Sequence, residues 1–393
     1  MLIYNMFNFL IIGGGIAGLY AYEKLEEQGQ TKIILLEANN YVGGRMGIDE
    51  WYGAKLAIGA GIGRKNKDKL LQKLCKKHNV PMHEFEVQKD VMDGLMNDDE
   101  LRSTITLLKG EYNQNNHKEL TFRQYGMEVL GAEHYQKFIK SYEYTDMEKA
   151  DVYETLEHYG LEDGYNGWTG LHVPWDMLLD KMCEGKNIKL NNQVIKINEL
   201  KNGLFEVETE RHIYKTANII MATTIDGVRL LLGRTKIYRQ VEGQPFIRIY
   251  GKYGRDASEI MHERVPRSLI MSNQCKRIIP MSEDVYMIAY SDNSNANYIN
   301  NHVTGNDKES REFMSEKLKG VAGLLPITAI KTYYWNIGTH YTRPFMEGES
   351  YDEWISVAQR PKDNIWVVGE AFSRNQGWVE GALESVENCF RSK

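Results

Sequence analysis

Residues 9–12, Phe-Leu-Ile-Ile, form an unbroken apolar run that breaks abruptly into glycine. Such a run suits a strand buried on both faces. From 17 to 28 the apolar positions follow a helical period, and Gly29 stops it. A second short run over 32–36 closes at Glu37, so the opening reads as strand, helix, strand. Between 194 and 222 the pattern alternates around a turn at 201–203 and ends in a continuous apolar stretch over 217–222. That predicts a meander closing on a buried strand. The stretches "EGQPFIRIYGKY" and "SEDVYMIAYS" also alternate and are expected to pair in a separate sheet. Near the far end, 365–368 is another short apolar run, and an amphipathic helical pattern then leads toward Phe390. In "RKNKDKLLQKLCKKH", Leu70, Leu71, Leu74 and Cys75 share one helical face, which places the lysines on the solvated side. The Asn-rich patches 113–116 and 293–301 read as loops.

At 393 residues the chain can bury a large core and is expected to form two domains. A net charge of −6 gives no general reason to expect a nucleic-acid partner. Cys75, Cys183, Cys275 and Cys389 show neither metal nor redox spacing, so reduced thiols and no metal site are expected. The apolar start runs directly into the glycines and reads as a strand rather than a signal peptide. No stretch is long enough to span a membrane, and a cytoplasmic location is the expectation. No G-x-S-x-G nucleophile motif occurs.

Gly13, Gly15 and Gly18 supply the G-x-G-x-x-G spacing directly after the first strand. The first allows a tight turn, the second lets backbone approach a pyrophosphate, and the third permits close helix–strand packing. Ile16 and Ala17 open the helix whose N-terminus would face the phosphates. Glu37, 24 residues after Gly13, is placed to accept hydrogen bonds from ribose hydroxyls, with Ala38 next to it. Strand, helix, strand and acid together predict dinucleotide binding. A second glycine cluster, Gly43 and Gly44, ends in Arg45.

Glu37 followed by "ANNYVGGR" resembles the FAD-binding opening of the flavin-dependent amine oxidase superfamily, and "VVGEAFSRNQGWVEGA" resembles its C-terminal flavin segment. The resemblance implies an α/β fold: a Rossmann-like FAD-binding domain of glutathione-reductase type with a second, α+β substrate domain. Segments 1–75, 186–240 and 345–393 would build the first domain. Segments 76–185 and 241–344 would build the second, with helices from the former and strands from the latter. It implies FAD as cofactor, held by the glycines, Glu37 and Arg45, by the backbone of Val194 on the adenine side, and by Gly369, Glu370, Gly377, Trp378 and Val379. It implies a small-molecule amine, amino acid or polyamine as substrate, hydride transfer to flavin N5, and O2 as electron acceptor.

Trp378 and Tyr341 match the two aromatic side chains that line the approach to the ring in that family; the alternative is that each is an ordinary packed aromatic. Three departures stand out. Arg248 occupies the place of a lysine that holds water near N5, and it cannot shuttle protons as a lysine can. Lys252, nearby in sequence, is a substitute candidate. His340 replaces the cysteine that links the flavin in the monoamine oxidase branch, and a histidine nitrogen is chemically able to make such a link. Arg64 would either meet a substrate carboxylate or be a solvated arginine at a helix start, the reading the sequence favours. The competing functions are a flavin desaturase, a nucleotide-sugar mutase, and a non-catalytic binding protein on the same fold.

Overall fold

The computed structural model describes residues 2–391. The opening unit is a strand, Leu2–Ile12, a helix, Ile16–Glu27, and a strand, Ile33–Leu36. The two strands pair in parallel, Phe9 opposite Ile33 and Ile12 opposite Leu36. They lie in a seven-stranded sheet that draws on three separated stretches of chain. Ile188–Lys189 pairs beyond Ile33–Leu36, His212–Met221 pairs with the first strand, and Ile365–Val367 runs parallel to His212–Met221. The predicted meander is present as Val194–Glu199, Phe205–Thr209 and His212–Met221, all antiparallel neighbours.

Strand alternation divides the core in two. Ile11, Leu35 and Ile220 point to one face, where they pack with Leu19, Leu25, Leu383 and Val386 of the helices Ile16–Glu27 and Val379–Phe390. Leu10, Ile34 and Ile219 point to the other, against Val228, Tyr238 and Phe372. Both helices follow parallel strands of this sheet, so their N-termini meet at the carboxyl ends of those strands, where α/β sheets bind ligands.

A six-stranded sheet runs in the order Ile327–Thr342, Val241–Tyr253, Val285–Asp292, Arg277–Pro280, Ser268–Ile270 and Lys89–Val91. The two stretches predicted to pair do so directly and antiparallel. Ile247 and Ile249 face a core with Ile288, Met314 and Leu318, while the intervening Phe246, Arg248 and Tyr250 face the opposite way. The helices Asp98–Glu111 and Phe122–Ser141 form an aromatic core of their own around Phe122, Tyr125 and Phe138.

The structure overturns two expectations. The Asn-rich patches are helical, Gln114–His117 and Asn293–Asn300. Asn113 caps the first by accepting from the Asn115 N–H (3.0 Å), and Ala296 and Ile299 anchor the second in the core, three residues apart on one face. Nor do helices and strands divide between 76–185 and 241–344. The first segment also holds the strands His83–Glu86, Lys89–Val91 and Thr169–His172, and the second holds the helices Arg255–Arg264 and Lys308–Ala322. All four cysteines are free thiols. Among the described residues no helix is long and apolar enough to cross a membrane.

Candidate active site

The two glycine clusters are one structure. The Gly43 N–H donates to the Gly14 carbonyl at 2.8 Å, and Gly15 bridges Gly43 in parallel. A Cβ on Gly18 would stand 2.0 Å from the Gly13 carbonyl oxygen, so only glycine lets the helix pack this close to the turn. Gly15 is the opposite case: a Cβ there would meet nothing within 4 Å, because its Cα looks into open space. No side chain caps the helix at Gly15, which leaves the N–H groups of the first turn, Ile16 and Ala17 included, for a ligand. Gly44 flanks the same opening, a Cβ there standing 3.5 Å from the Gly15 Cα. An open cradle with free N–H donors fits a pyrophosphate.

Glu37 is buried at the end of its strand, accepting from the N–H of Gly14 (2.6 Å) and of Asn39 (2.8 Å). Each carboxylate oxygen keeps a lone pair for a ribose hydroxyl. Beyond it Ala38 is exposed and lines a hollow of about 220 Å³ with Asn191, Gln193, Thr209 and Arg211. Val194 starts the adjoining strand and is buried.

Arg45 reaches across to the C-terminal segment. Its Nη1 donates to Glu370 (2.7 Å) and to the Gly338 carbonyl (2.8 Å). Glu370 also accepts from the Gly377 N–H (3.0 Å) and from His340 Nδ1. Burial would lift the Glu370 carboxyl, but His340 and Arg45 outweigh it and hold it at about 2. The second nitrogen of His340, Nε2, accepts from the Ile225 N–H (3.2 Å), so the ring proton sits on Nδ1. Both ring nitrogens are therefore engaged, and His340, 3 % exposed, is a strut between Glu370 and a helix start. Gly369, whose N–H donates to Ser385 Oγ (2.8 Å), precedes Glu370. Trp378 is the N-cap of Val379–Phe390, which has no side-chain cap and presents its first N–H groups at the same end of the sheet.

Around Trp378 the structure departs from the sequence reading. Arg64 is not solvated: it is 2 % exposed, bonded to Asp68 (2.6 Å) and Asp163 (3.0 Å), and stacked 3.8 Å from the Trp378 ring centroid. It ends the short strand Gly63–Arg64, and Asp68, the N-cap of the helix Lys69–Lys77, accepts from its Nε and Nη2, so the charge is satisfied there. Tyr341 is half-buried, opposite Glu242 across the strand pair. Arg248 lies on the inward face of the six-stranded sheet, with Nη1 donating to the Ala57 carbonyl (3.1 Å), which Tyr250 also binds (2.7 Å). Lys252 does not join it; its ammonium pairs with Asp284.

Asp146 is a candidate that no motif pointed to. It is buried beside Thr339, accepts from the Tyr159 hydroxyl, and its Oδ2 is 4.0 Å from where a Gly377 Cβ would stand. Burial, then the charge of Asp292, pushes its carboxyl up to about 7. Asp292 itself accepts from Thr145 Oγ1 (2.6 Å) and its carboxyl is likewise raised, chiefly by burial.

The family model described as flavin containing amine oxidoreductase matches residues 16–388. The solved structure of wild-type putrescine oxidase bound to putrescine superposes with a TM-score of 0.77 at 12 % identity, covering 98 % of each chain. A triple mutant of putrescine oxidase, from a redesign of its cofactor binding, gives 0.77 at 13 % identity, covering 98 % of this chain and 97 % of that one. Polyamine oxidase 7 from Oryza sativa subsp. japonica is 45 % identical over 51 residues, a stretch covering 13 % of this chain and 11 % of that protein.

Proposed function

Because the chain belongs to the flavin containing amine oxidoreductase family, we propose that it holds FAD across the joined glycine turns and oxidises a small-molecule amine, with O2 as electron acceptor. The observation that carries this reading is the cradle itself: two interlocked glycine loops, open at Gly15, tied by Arg45–Glu370 to the helix that starts at Trp378. In the proposed arrangement the first-turn N–H groups and Arg45 meet the pyrophosphate, Glu37 the ribose, and the Ala38–Val194 end the adenine. Bound FAD supplies the hydride acceptor. The finer fold assignment, a glutathione-reductase-type domain from 1–75, 186–240 and 345–393 with a substrate domain from 76–185 and 241–344, is supported by sheet membership: every strand of the seven-stranded sheet falls in the first set and every strand of the six-stranded sheet in the second.

The remaining steps fall to the chain's own side chains. Amine oxidation needs a neutral amine held close to the acceptor. Trp378 and Tyr341 are proposed to flank the substrate, their π faces tolerating the ammonium before it loses its proton. Asp146, beside Gly377 and with its carboxyl raised by burial and by Asp292, is proposed to take that proton. Arg248 stays charged and does no proton transfer. Anaerobic mixing of the FAD-loaded protein with a panel of amines, polyamines and amino acids tests the reading. Bleaching of the flavin absorbance by at least one compound is expected, and no bleaching by any would overturn amine oxidation.

A further inference from the structure

Arg248 is buried to 2 % exposure on the inward face of the six-stranded sheet. Its guanidinium carbon stands 4.6 Å from the Tyr290 ring centroid and 5.4 Å from that of Phe246. Aromatic faces offset part of the cost of burying a cation, but they do not neutralise it. Its Nε is buried with no hydrogen-bond partner. The acids on neighbouring elements serve other cations: Glu143 pairs with Lys89 and Arg277, Asp49 with Lys331, and Asp284 with Lys252. Asp292 accepts from Thr145. Among the described residues no carboxylate pairs with Arg248.

The unpaired part of the guanidinium has a defined shape. Nη1 is spent on the Ala57 carbonyl and Nε has no partner; Nε lies on the edge it shares with Nη2, the edge that binds a carboxylate through two parallel hydrogen bonds. Gly61 borders that edge, and a Cβ there would come within 3.1 Å of Nη2. Tyr290, whose ring faces the guanidinium, accepts at its hydroxyl from that of Tyr144 (3.1 Å), and Tyr144 is two residues from Asp146.

We propose that Arg248 anchors a carboxylate on the substrate, so that the enzyme takes an amine bearing a carboxylate, an amino acid or a related aminocarboxylate, in preference to a diamine or polyamine. This rests on the amine-oxidising reading above. A fixed, buried cation attracts a carboxylate and repels a second ammonium, so it separates the two classes by charge alone. Arginine suits this task better than the lysine it resembles in position, because its fork holds the carboxylate's orientation and its charge does not titrate.

The test uses FAD-loaded protein and pairs that differ only in the carboxylate: ornithine and putrescine, lysine and cadaverine, phenylalanine and phenethylamine. The carboxylated member of at least one pair is expected to reduce the flavin anaerobically with efficiency higher by on the order of 100-fold, and R248M to erase that preference. Benzoate, a carboxylate with no amine, gives a readout independent of turnover: it should perturb the flavin spectrum of the wild type. Its Kd should rise by at least about tenfold in R248M and by less in R248K, which keeps the charge but not the fork. Faster reduction by the decarboxylated members, or benzoate binding indifferent to both variants, would overturn the proposal. If no compound of any pair reduces the flavin, amine oxidation itself fails and the benzoate titration alone decides the role of Arg248. R248K, with its flavin spectrum as a folding check, keeps the test decisive if R248M does not fold.

Discussion

Replacing Gly15 and Gly18 with alanine, one at a time, separates a glycine needed by the ligand from one needed by the fold. At Gly15 the backbone is extended, with φ −72° and ψ 176°, and a Cβ would meet no heavy atom within 4 Å. Alanine accepts that conformation, so G15A should change the stability of the apoprotein by no more than about 0.5 kcal/mol. The added methyl would project into the cradle opening, where the pyrophosphate is proposed to approach the backbone. Displacing it by even part of an ångström stretches its hydrogen bonds to the first helical turn, and the loss of one such charge-assisted bond is worth about 1.5–3 kcal/mol. FAD affinity should therefore fall by at least about tenfold. At Gly18 the Cβ would stand 2.0 Å from the Gly13 carbonyl oxygen and 3.3 Å from the Ala222 Cβ. Both turn and helix must shift, an overpacking cost of about 1–3 kcal/mol that appears with or without ligand. Urea melts of the apoproteins and fluorescence titration with FAD measure the two quantities separately. Wild-type FAD affinity in a well-folded G15A protein would refute the cradle. Apo stability in G18A equal to wild type would refute the close-packing argument.

The Glu370 carboxyl is depressed from 4.5 to about 2, so it contributes stability that is fully present above pH 4.5 and lost as the pH falls toward 2, at most roughly 3 kcal/mol. E370Q should lower the urea midpoint at pH 7 and flatten the acid decline; an unchanged pH dependence would mean that the carboxylate is not held by His340 and Arg45. Asp146 has the opposite sign: its folded carboxyl is raised from 3.8 to about 7 by burial and Asp292, so ionising it costs stability as the pH climbs through that window. D146N should therefore be more stable than wild type at pH 8 while reducing flavin more slowly, and a less stable variant would contradict the assignment. Since both nitrogens of His340 are hydrogen-bonded, acid precipitation should leave the flavin in the supernatant, whereas flavin retained in the pellet would show a covalent link. W378A and Y341A should retain FAD and show slower reduction by substrate in stopped flow, and unchanged rates in both would make them packing residues.

What the sequence made legible was local. The glycine spacing at 13, 15 and 18 encodes a turn and a helix start within six residues, and Glu37 follows from the strand that the same unit must contain. Alternation in 241–253 and 285–292 was enough to predict two strands that pair, because their side chains bury on a period of two. The misread Asn patches failed at the same local level: asparagine is a poor interior helix former, and the capping bond of Asn113 and the buried positions of Ala296 and Ile299 override that preference.

The chemistry of the site was illegible for a different reason, since it is set by partners far apart in the chain. Arg64 looked like a solvated arginine at a helix start, and its stretch is basic. Asp163, 99 residues later, and Trp378 turn it into a buried, neutralised prop for the aromatic at the proposed flavin face. Arg248 presented the reverse problem. Its sequence neighbours include Lys252, and strand alternation alone offered both as cations of one site. Asp284 satisfies Lys252, and no acid is supplied to Arg248 among the described residues. A motif can therefore predict that a positive charge reaches the site without saying whether the protein or its ligand will neutralise it. That distinction decides whether such a site suits a diamine or an amino acid, and it depends on which carboxylates the fold has already committed elsewhere.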